Sequence, residues 1–563
     1  MKRYFLLLFL LSNFSGFSQK KYPTDYFRSP LDIPIILSGT FGELRNNHFH
    51  AGMDIKTKRR NGLKVYATAD GYVSRIKVAL WGYGKVIYVT HPNGYTTVYA
   101  HLSKFGDGIQ EYVKNVQYKK KSYETGNIFP KEGEIPVKKG QIIAYSGSTG
   151  GFVAPHLHYE IRDTKTEHII NPMLFGLRVQ DSITPTVSKL MGYPINKSAR
   201  INSNNKKLIL PLKKVGSNYV TNRITASGKI SFGINTFDRL GKALNKNGVY
   251  SIEMKVNGKR YYYHDVETFS FAESKFINLL IDYPHFAKYK SRIQKTYREK
   301  ANKLSIYENL LNNGIIEVQE GLNYNVQIII KDFNGNTTKV KIPVIGKKSE
   351  VLFTKPPDTT NYKVIAKNFQ KFSKDGITIA FPKNTFYEDV YLDFDVLNDV
   401  AKIHYPNIPL DKRFTITFDS TRYKQKDLEH IYIANVNNKK YANYQNTRKR
   451  KGKVFTTTKT LGNYTLLIDS QKPKIYNPNF KNGSWMTNHN YLTIRVSDAQ
   501  SGIKSYQAYI DDEWVLMEYD LKKKKLSYDF RDKKLVGSKH IFKLVVSDNV
   551  GNTNTYTATF YRK

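Results

Sequence analysis

Five side chains in the first part of this 563-residue chain are of the types that hydrolytic chemistry uses. His50 and Asp54 lie in His50-Ala51-Gly52-Met53-Asp54, and His101 lies in Tyr99-Ala100-His101-Leu102-Ser103. His156 and His158 follow a Gly-rich turn within the stretch from Ser146 to Arg162, SGSTGGFVAPHLHYEIR. In an extended strand, side chains at i and i+2 share a face, so His156 and His158 project together while Leu157 and Tyr159 face the other way. A lone histidine is commonly structural; two on one strand face, with another histidine and an aspartate upstream, suit metal ligation or proton transfer. No G-x-S-x-G elbow and no phosphate-binding loop is present, so serine hydrolysis and nucleotide use lack support. The chain has no cysteine, which excludes disulfides, a Cys-type zinc site and a lipid-modified N-terminal cysteine.

The order H-x-G-x-D, then Y-x-H-L-S, then G-x-x-G-x-x-x-x-P-H-L-H-Y-E resembles the M23 family of zinc metallopeptidases, the lysostaphin or LytM family, which cut peptide bonds in peptidoglycan. The resemblance runs from about Ile33 to Phe175, and all of its metal and catalytic positions are filled. It implies a Zn2+ site with His50, Asp54 and His158 as ligands, and an open fourth position where water is activated. It also implies that His101 and His156 flank that water without ligating the metal, one orienting or deprotonating it and either one donating to the forming oxyanion. Gly52 stands between the first two ligands, where a tight approach of the chain favours a residue without Cβ. His48 reads as a loop residue and His91 as a packing or capping residue before a turn. Tyr99 and Arg162 read as structural.

The class of fold is expected to be all-β, because Tyr (42) and Phe (31) are abundant and short alternating runs dominate. From Ile33 to Arg162 the pattern reads as strands throughout, including Gly71–Ile76, Lys85–Val89 and Tyr95–Tyr99, with a hairpin turn at Pro92-Asn93-Gly94. By resemblance these make an antiparallel β domain with its site in a groove on the sheet. One departure from the family pattern is the insertion from Gly106 to Pro136. It carries the basic run Tyr118-Lys119-Lys120-Lys121-Ser122-Tyr123 and reads either as a wall of the substrate groove or as a surface insertion without a role.

The expected organisation is a signal peptide over residues 1–18, the peptidase domain over 19–180, and an immunoglobulin-like β-sandwich with a basic helical insertion (residues 285–312) over 181–346. A β-sandwich of uncertain type follows over 351–469, then a second immunoglobulin-like sandwich over 470–563. The two immunoglobulin-like units read as an internal repeat, since each pairs an alternating strand with a later strand ending in D-x-x-G-N, at Asp332–Asn336 and Asp548–Asn552. The basic start (Lys2, Arg3) and short apolar run to Leu11 predict export, and no later segment has the length of a membrane span.

The formal net charge is +42. A surplus of that size often marks nucleic-acid binders, but an exported protein rarely meets nucleic acid. Attraction to the anionic stem peptides of the wall and simple solubility of a Tyr-rich β-protein both account for it. The function expected is a periplasmic or secreted zinc metallo-endopeptidase acting on peptidoglycan stem peptides through a zinc-activated water. The later domains would position it or bind envelope proteins. The rival readings are a non-catalytic activator of a wall hydrolase and a zinc protease of extracellular proteins.

Overall fold

The runs rich in Val, Ile, Thr and Tyr form the strands of the N-terminal domain. They are β1 (Leu37–Gly39), β2 (Met53–Lys56), β3 (Gly71–Val78), β4 (Lys85–Thr90), β5 (Tyr95–Ala100), β6 (Gly126–Ile128) and β7 (His156–Asp163). These come from a computed structural model, which describes residues 22–151, 154–241, 244–348, 359–421, 423–438 and 440–563. The leader expected over residues 1–18, and residues 349–358 at the boundary between the second and third domains, lie outside the described residues. The main sheet runs β1-β2-β7-β5-β4-β3-β6, with every neighbouring pair antiparallel. Central β7 is buried on both faces from His156 to Arg162, so its polar residues must find partners inside the protein.

The domain is not β throughout. Residues Asp107–Lys120 of the insertion form helix α1. Ile109, Val113 and Gln117, spaced four apart, are its buried face, with Asp107 in the first turn and Lys119 and Lys120 in the last, where the helix dipole favours each charge. Tyr112 and Tyr118 of the helix pack half-buried against the domain core.

The second domain is built around the long strand Ile224–Phe237 in a twelve-stranded mixed sheet. The basic helix expected over 285–312 is largely absent: only Tyr283–Tyr289 is helical, started by the Asp282 side chain accepting from His285 N and ended by Lys290 in the left-handed region. Past that stop the chain extends, and Gln294–Lys295 pairs with the long strand, with Ile293 and Thr296 buried beside it. The third domain holds two five-stranded sheets and the fourth a four-stranded and a five-stranded sheet, each pair enclosing one core. Both D-x-x-G-N turns close long antiparallel hairpins, Asn323–Lys331 with Thr337–Gly346 and Lys539–Asp548 with Thr553–Tyr561. In each unit a third strand, Ser251–Val256 or Ile503–Ile510, flanks the hairpin in the same place.

Two neighbours brace the N-terminal domain. The second domain pairs Thr268–Phe269 with Ile169–Ile170, and its Phe269, Ile277 and Leu280 share a core with Phe41, Phe49 and Ala51 around the first histidine motif. The fourth domain folds back to bury Trp514 and Leu516 in the N-terminal core. There α1 provides the platform: Tyr118 meets Trp514 edge-on at 5.3 Å, Lys114 pairs with Asp532, and Lys85 Nζ reaches Glu518 Oε1 at 2.8 Å.

His91 is a packing residue, 3% exposed between Asp70 O and Thr97 Oγ1, each at 2.8 Å. Burial lowers its pKa from 6.5 to about 4, so the folded state refuses a proton that the unfolded chain accepts. Stability is therefore complete above pH 6.5 and is lost as pH falls towards 4, by about 3 kcal/mol from this residue. Denaturation curves at pH 7 and 4.5 should show a weaker pH dependence for His91→Gln than for the native chain; an equal dependence would contradict this assignment.

Candidate metal centre

The register of three strands assembles the site. On β7, His158 stands opposite Asp54 of β2 on one side and Ala100 of β5 on the other. His101 follows Ala100 at the end of β5 with φ 59°, a left-handed conformation unusual for a residue with a side chain and frequent at functional sites. His50 approaches from the loop before β2. Gly52 in that loop lies so close to β7 that a Cβ would stand 2.3 Å from Tyr159 O, so any side chain would push the motif off the sheet.

Three donor atoms converge. His50 Nε2 is 3.0 Å from Asp54 Oδ1 and 3.1 Å from His158 Nδ1, and His158 Nδ1 is 2.9 Å from Asp54 Oδ1. The outer nitrogens fix the tautomers. His50 Nδ1 lies 2.7 Å from Thr40 O, to which only an N–H can donate, leaving the Nε2 lone pair facing inward. His158 Nε2 lies 2.8 Å from Glu160 Oε1, leaving the Nδ1 lone pair facing the same point. Two imidazole lone pairs and a carboxylate oxygen aimed at one another need a cation between them. Donors bonded tetrahedrally to zinc at about 2.0–2.1 Å lie roughly 3.3 Å apart, so this set fits zinc with a small expansion.

The electrostatics agree. Burial disfavours a charged Asp54, but the His50 charge and hydrogen bonds from His156, His158 and His50 outweigh it and hold the carboxyl well below its usual range. Burial likewise opposes a charged His158, yet hydrogen bonds to Asp54 and Glu160 raise it to about 9.

Beneath His158 lies a buried carboxylate network centred on Glu160, which sequence alone does not mark, and joined by Arg162, which reads from sequence as structural. Glu160 is fully buried; its Oε2 accepts from Arg162 Nε at 2.7 Å, and its Oε1 also accepts from the Tyr83 hydroxyl. Tyr83 in turn stacks on the His158 ring, centroids 5.3 Å apart. Burial opposes the charge of Glu160, but Arg162 and His158 lower its pKa to about 2. Strand alternation still places Glu160 and Arg162 on the i, i+2 face of His156 and His158. Arg45, whose NH2 nitrogen lies 3.3 Å from Asp54 Oδ2, carries no such signal, because the loop that delivers it follows no periodicity.

His101 and His156 stand beside the three donors, ring centroids 4.7 Å apart. Each donates its Nδ1–H to a backbone carbonyl, Thr149 O at 2.8 Å and Ala154 O at 2.7 Å, which leaves each Nε2 available. His156 Nε2 lies 3.4 Å from Asp54 Oδ1. Burial, then the charges of His158 and His156, lower His101 to about 3, so it stays neutral near pH 7. His48 is exposed on its loop, as expected.

An antiparallel sheet presenting a His-Asp-His donor set with two flanking histidines defines a metallopeptidase type of site. Residues 48–127 match peptidase family M23, and the chain carries an M23 peptidase domain at its N-terminal end. The matched residues include His50, Asp54 and His101; His156 and His158 lie beyond them and join the site through the strand register. Residues 361–469 match a Zu5-like domain. Among curated relatives, the DD-carboxypeptidase/endopeptidase Mpg of Neisseria meningitidis serogroup B is 35% identical over 113 residues, 20% of either chain. The peptidoglycan DD-endopeptidase ShyB of Vibrio cholerae is 32% identical over 112 residues, 20% of either chain. The cell division protein DipM of Caulobacter vibrioides is 29% identical over 140 residues, 25% of this chain and 18% of that one. The chain thus spans about a fifth of the length of the curated relatives it matches.

Glu160→Gln should weaken zinc binding about 10–100-fold without unfolding the domain, since a carboxylate partner fixes the tautomer and basicity of a ligating histidine. Competition with a chromophoric chelator reads the affinity directly; unchanged affinity would show that Glu160 serves only the fold.

Proposed function

We propose that this protein is an exported zinc metallo-endopeptidase that hydrolyses the peptide cross-links between peptidoglycan stem peptides. The observation carrying this reading is the convergence of two imidazole lone pairs and one carboxylate oxygen on a single point, beside two histidines whose Nε2 atoms are available. His50, Asp54 and His158 would hold the metal, which when bound acts as a Lewis acid and brings the pKa of a coordinated water to about 7.

The chain's own residues supply the remaining steps. His101 and His156, each fixed through Nδ1, present Nε2 to the reacting centre. One of them takes the proton of the attacking water on its free Nε2, and the imidazolium so formed donates to the carbonyl oxygen as it gains charge and then passes that proton to the leaving amine. No side chain in the set is a nucleophile, so hydrolysis proceeds without a covalent enzyme intermediate.

The substrate assignment rests on the relatives' names and on charge. Stem peptides carry free carboxylates, and the chain's surplus of +42 favours their approach. A cleft beside the site lies between the loop Ser148–Gly151, which holds His101 through Thr149 O, and Glu518 to Lys522 of the fourth domain. A peptide strand entering along this seam has a wall from each domain. The role left to helix α1 is then to hold the fourth domain in place, and the wall is built by that domain and Tyr123. The basic and apolar first residues suit delivery to the periplasm or the exterior, where the later domains are free to meet envelope proteins.

His101→Ala and His156→Ala should each keep stoichiometric zinc and lose about 10²–10⁴-fold in kcat on cross-linked muropeptides. His50→Ala and His158→Ala should lose the metal itself. Metal analysis of the four purified variants alongside the assay separates the roles, and zinc loss in His101→Ala would overturn them.

A further inference from the structure

Two clusters of aspartates recur at matching places in the second and fourth domains. Asp181, Asp238 and Asp332 each bring a ligand oxygen within 4.8 Å of the others, and so do Asp469, Asp498 and Asp548. The order along the chain is the same. The first aspartate opens the domain in D-S-x-x-P (Asp181–Pro185, Asp469–Pro473), the second ends a strand region, and the third begins the D-x-x-G-N turn. The wiring is the same as well. Asn336 Nδ2 donates to Asp332 Oδ2 at 2.7 Å and to Asp181 O at 3.3 Å, while Asn552 Nδ2 donates to Asp548 Oδ2 at 2.8 Å and to Asp469 O at 2.7 Å.

Hydrogen bonds of this kind occur in ordinary turns; the unpaired oxygens do not belong to them. Asp238 is 2% exposed and its Oδ1 has no hydrogen-bond partner. Asp181 Oδ2 is likewise buried and unpaired. Asn247, whose backbone exchanges both hydrogen bonds with Asp238, is 2% exposed with Oδ1 unpaired. Among the described residues no lysine, arginine or histidine forms an ion pair with any of the six aspartates. Burial, then the charges of Asp181 and Asp332, push Asp238 up to about 7, as expected where negative charge is crowded without a counter-ion. In the fourth domain the carboxylates accept backbone N–H groups instead, Asp469 Oδ2 from Ser501 at 3.0 Å and Asp498 Oδ1 from Gly502 at 2.7 Å, and none of their oxygens is buried without a partner among the described residues.

We infer that Asp181, Asp238 and Asp332 form a calcium site at the junction of the first and second domains. The donor set is oxygen only, three carboxylates. That suits a hard cation of flexible coordination, and calcium over magnesium, which demands a tighter octahedron and keeps its waters. Zinc, which prefers nitrogen and sulfur, belongs to the other site. The first cluster is placed to matter mechanically. Gly248, next to Asn247, donates its N–H to Thr40 Oγ1 at 3.0 Å, and Thr40 O holds His50 Nδ1. A calcium there would also clamp the segment around Val179, whose carbonyl accepts from Asn334 Nδ2 at 2.9 Å. The inference does not depend on the peptidase reading.

The test uses the full zinc-loaded chain freed of calcium, titrated with CaCl2 by calorimetry and followed by thermal melting. One calcium ion should bind per chain, with Kd about 10⁻⁵–10⁻³ M, and raise Tm; magnesium should do so more weakly. Asp238→Asn should bind no calcium, whereas Asp498→Asn, in the matching cluster of the fourth domain, should bind one. Without calcium, Asp238→Asn should melt at or above the native chain, because it relieves repulsion; a merely structural aspartate would instead lower Tm equally with and without calcium. That equal loss, or an absence of calcium binding up to about 10 mM, or native stoichiometry in Asp238→Asn, would overturn the inference.

Discussion

The pairing of His158 with Asp54 across β7 and β2 is the constraint on which the rest of the N-terminal domain depends. Side chains alternate along a strand, so a slip of one residue would turn His156, His158 and Glu160 to the opposite face and replace them with Leu157, Tyr159 and Ile161. The register is held by those same apolar residues, each fully buried in the core. Gly52 allows the loop carrying His50 to lie against β7 at backbone distance. The chemistry thus sits on one face of a strand whose other face is core, and neither can shift without the other.

A buried site of this kind concentrates charge, and the protein answers each charge with a named partner. Asp54 has the histidines and Arg45; Glu160 has Arg162, Tyr83 and His158. Removing one partner of such a buried set leaves another charge uncompensated, which costs more than the pair contributes. The first histidine motif is further braced from outside its own domain, since Phe49 N donates to Ser274 Oγ and Thr40 bonds Gly248 of the second domain. The later domains are therefore part of the scaffold of the site as well as surfaces in their own right.

Much of this was legible in the sequence because it is local. H-x-G-x-D and H-x-H have fixed offsets, and short alternating runs read as strands; the hairpin at Pro92-Asn93-Gly94 and the two D-x-x-G-N turns read equally well. Helix α1 was missed because its Tyr and Val residues favour strands in isolation, while the apolar spacing Ile109, Val113, Gln117 is thin and includes a polar residue. The basic helix over 285–312 was over-read because lysines between apolar residues suit a helix as well as an extended segment. The stop at Lys290 and the burial of Ile293 are set by the long strand it packs on. The return of the fourth domain onto α1 had no sequence signal, since Trp514 and Tyr118 are about four hundred residues apart and nothing local marks them as partners.

Digestion of purified peptidoglycan by the purified protein, with and without chelator, followed by mass analysis of the fragments, tests the central claim most directly. Chelator-sensitive loss of cross-linked dimers with glycan chains left intact is the predicted result, and it identifies the bond cut. No release of fragments by protein carrying stoichiometric zinc would contradict the account.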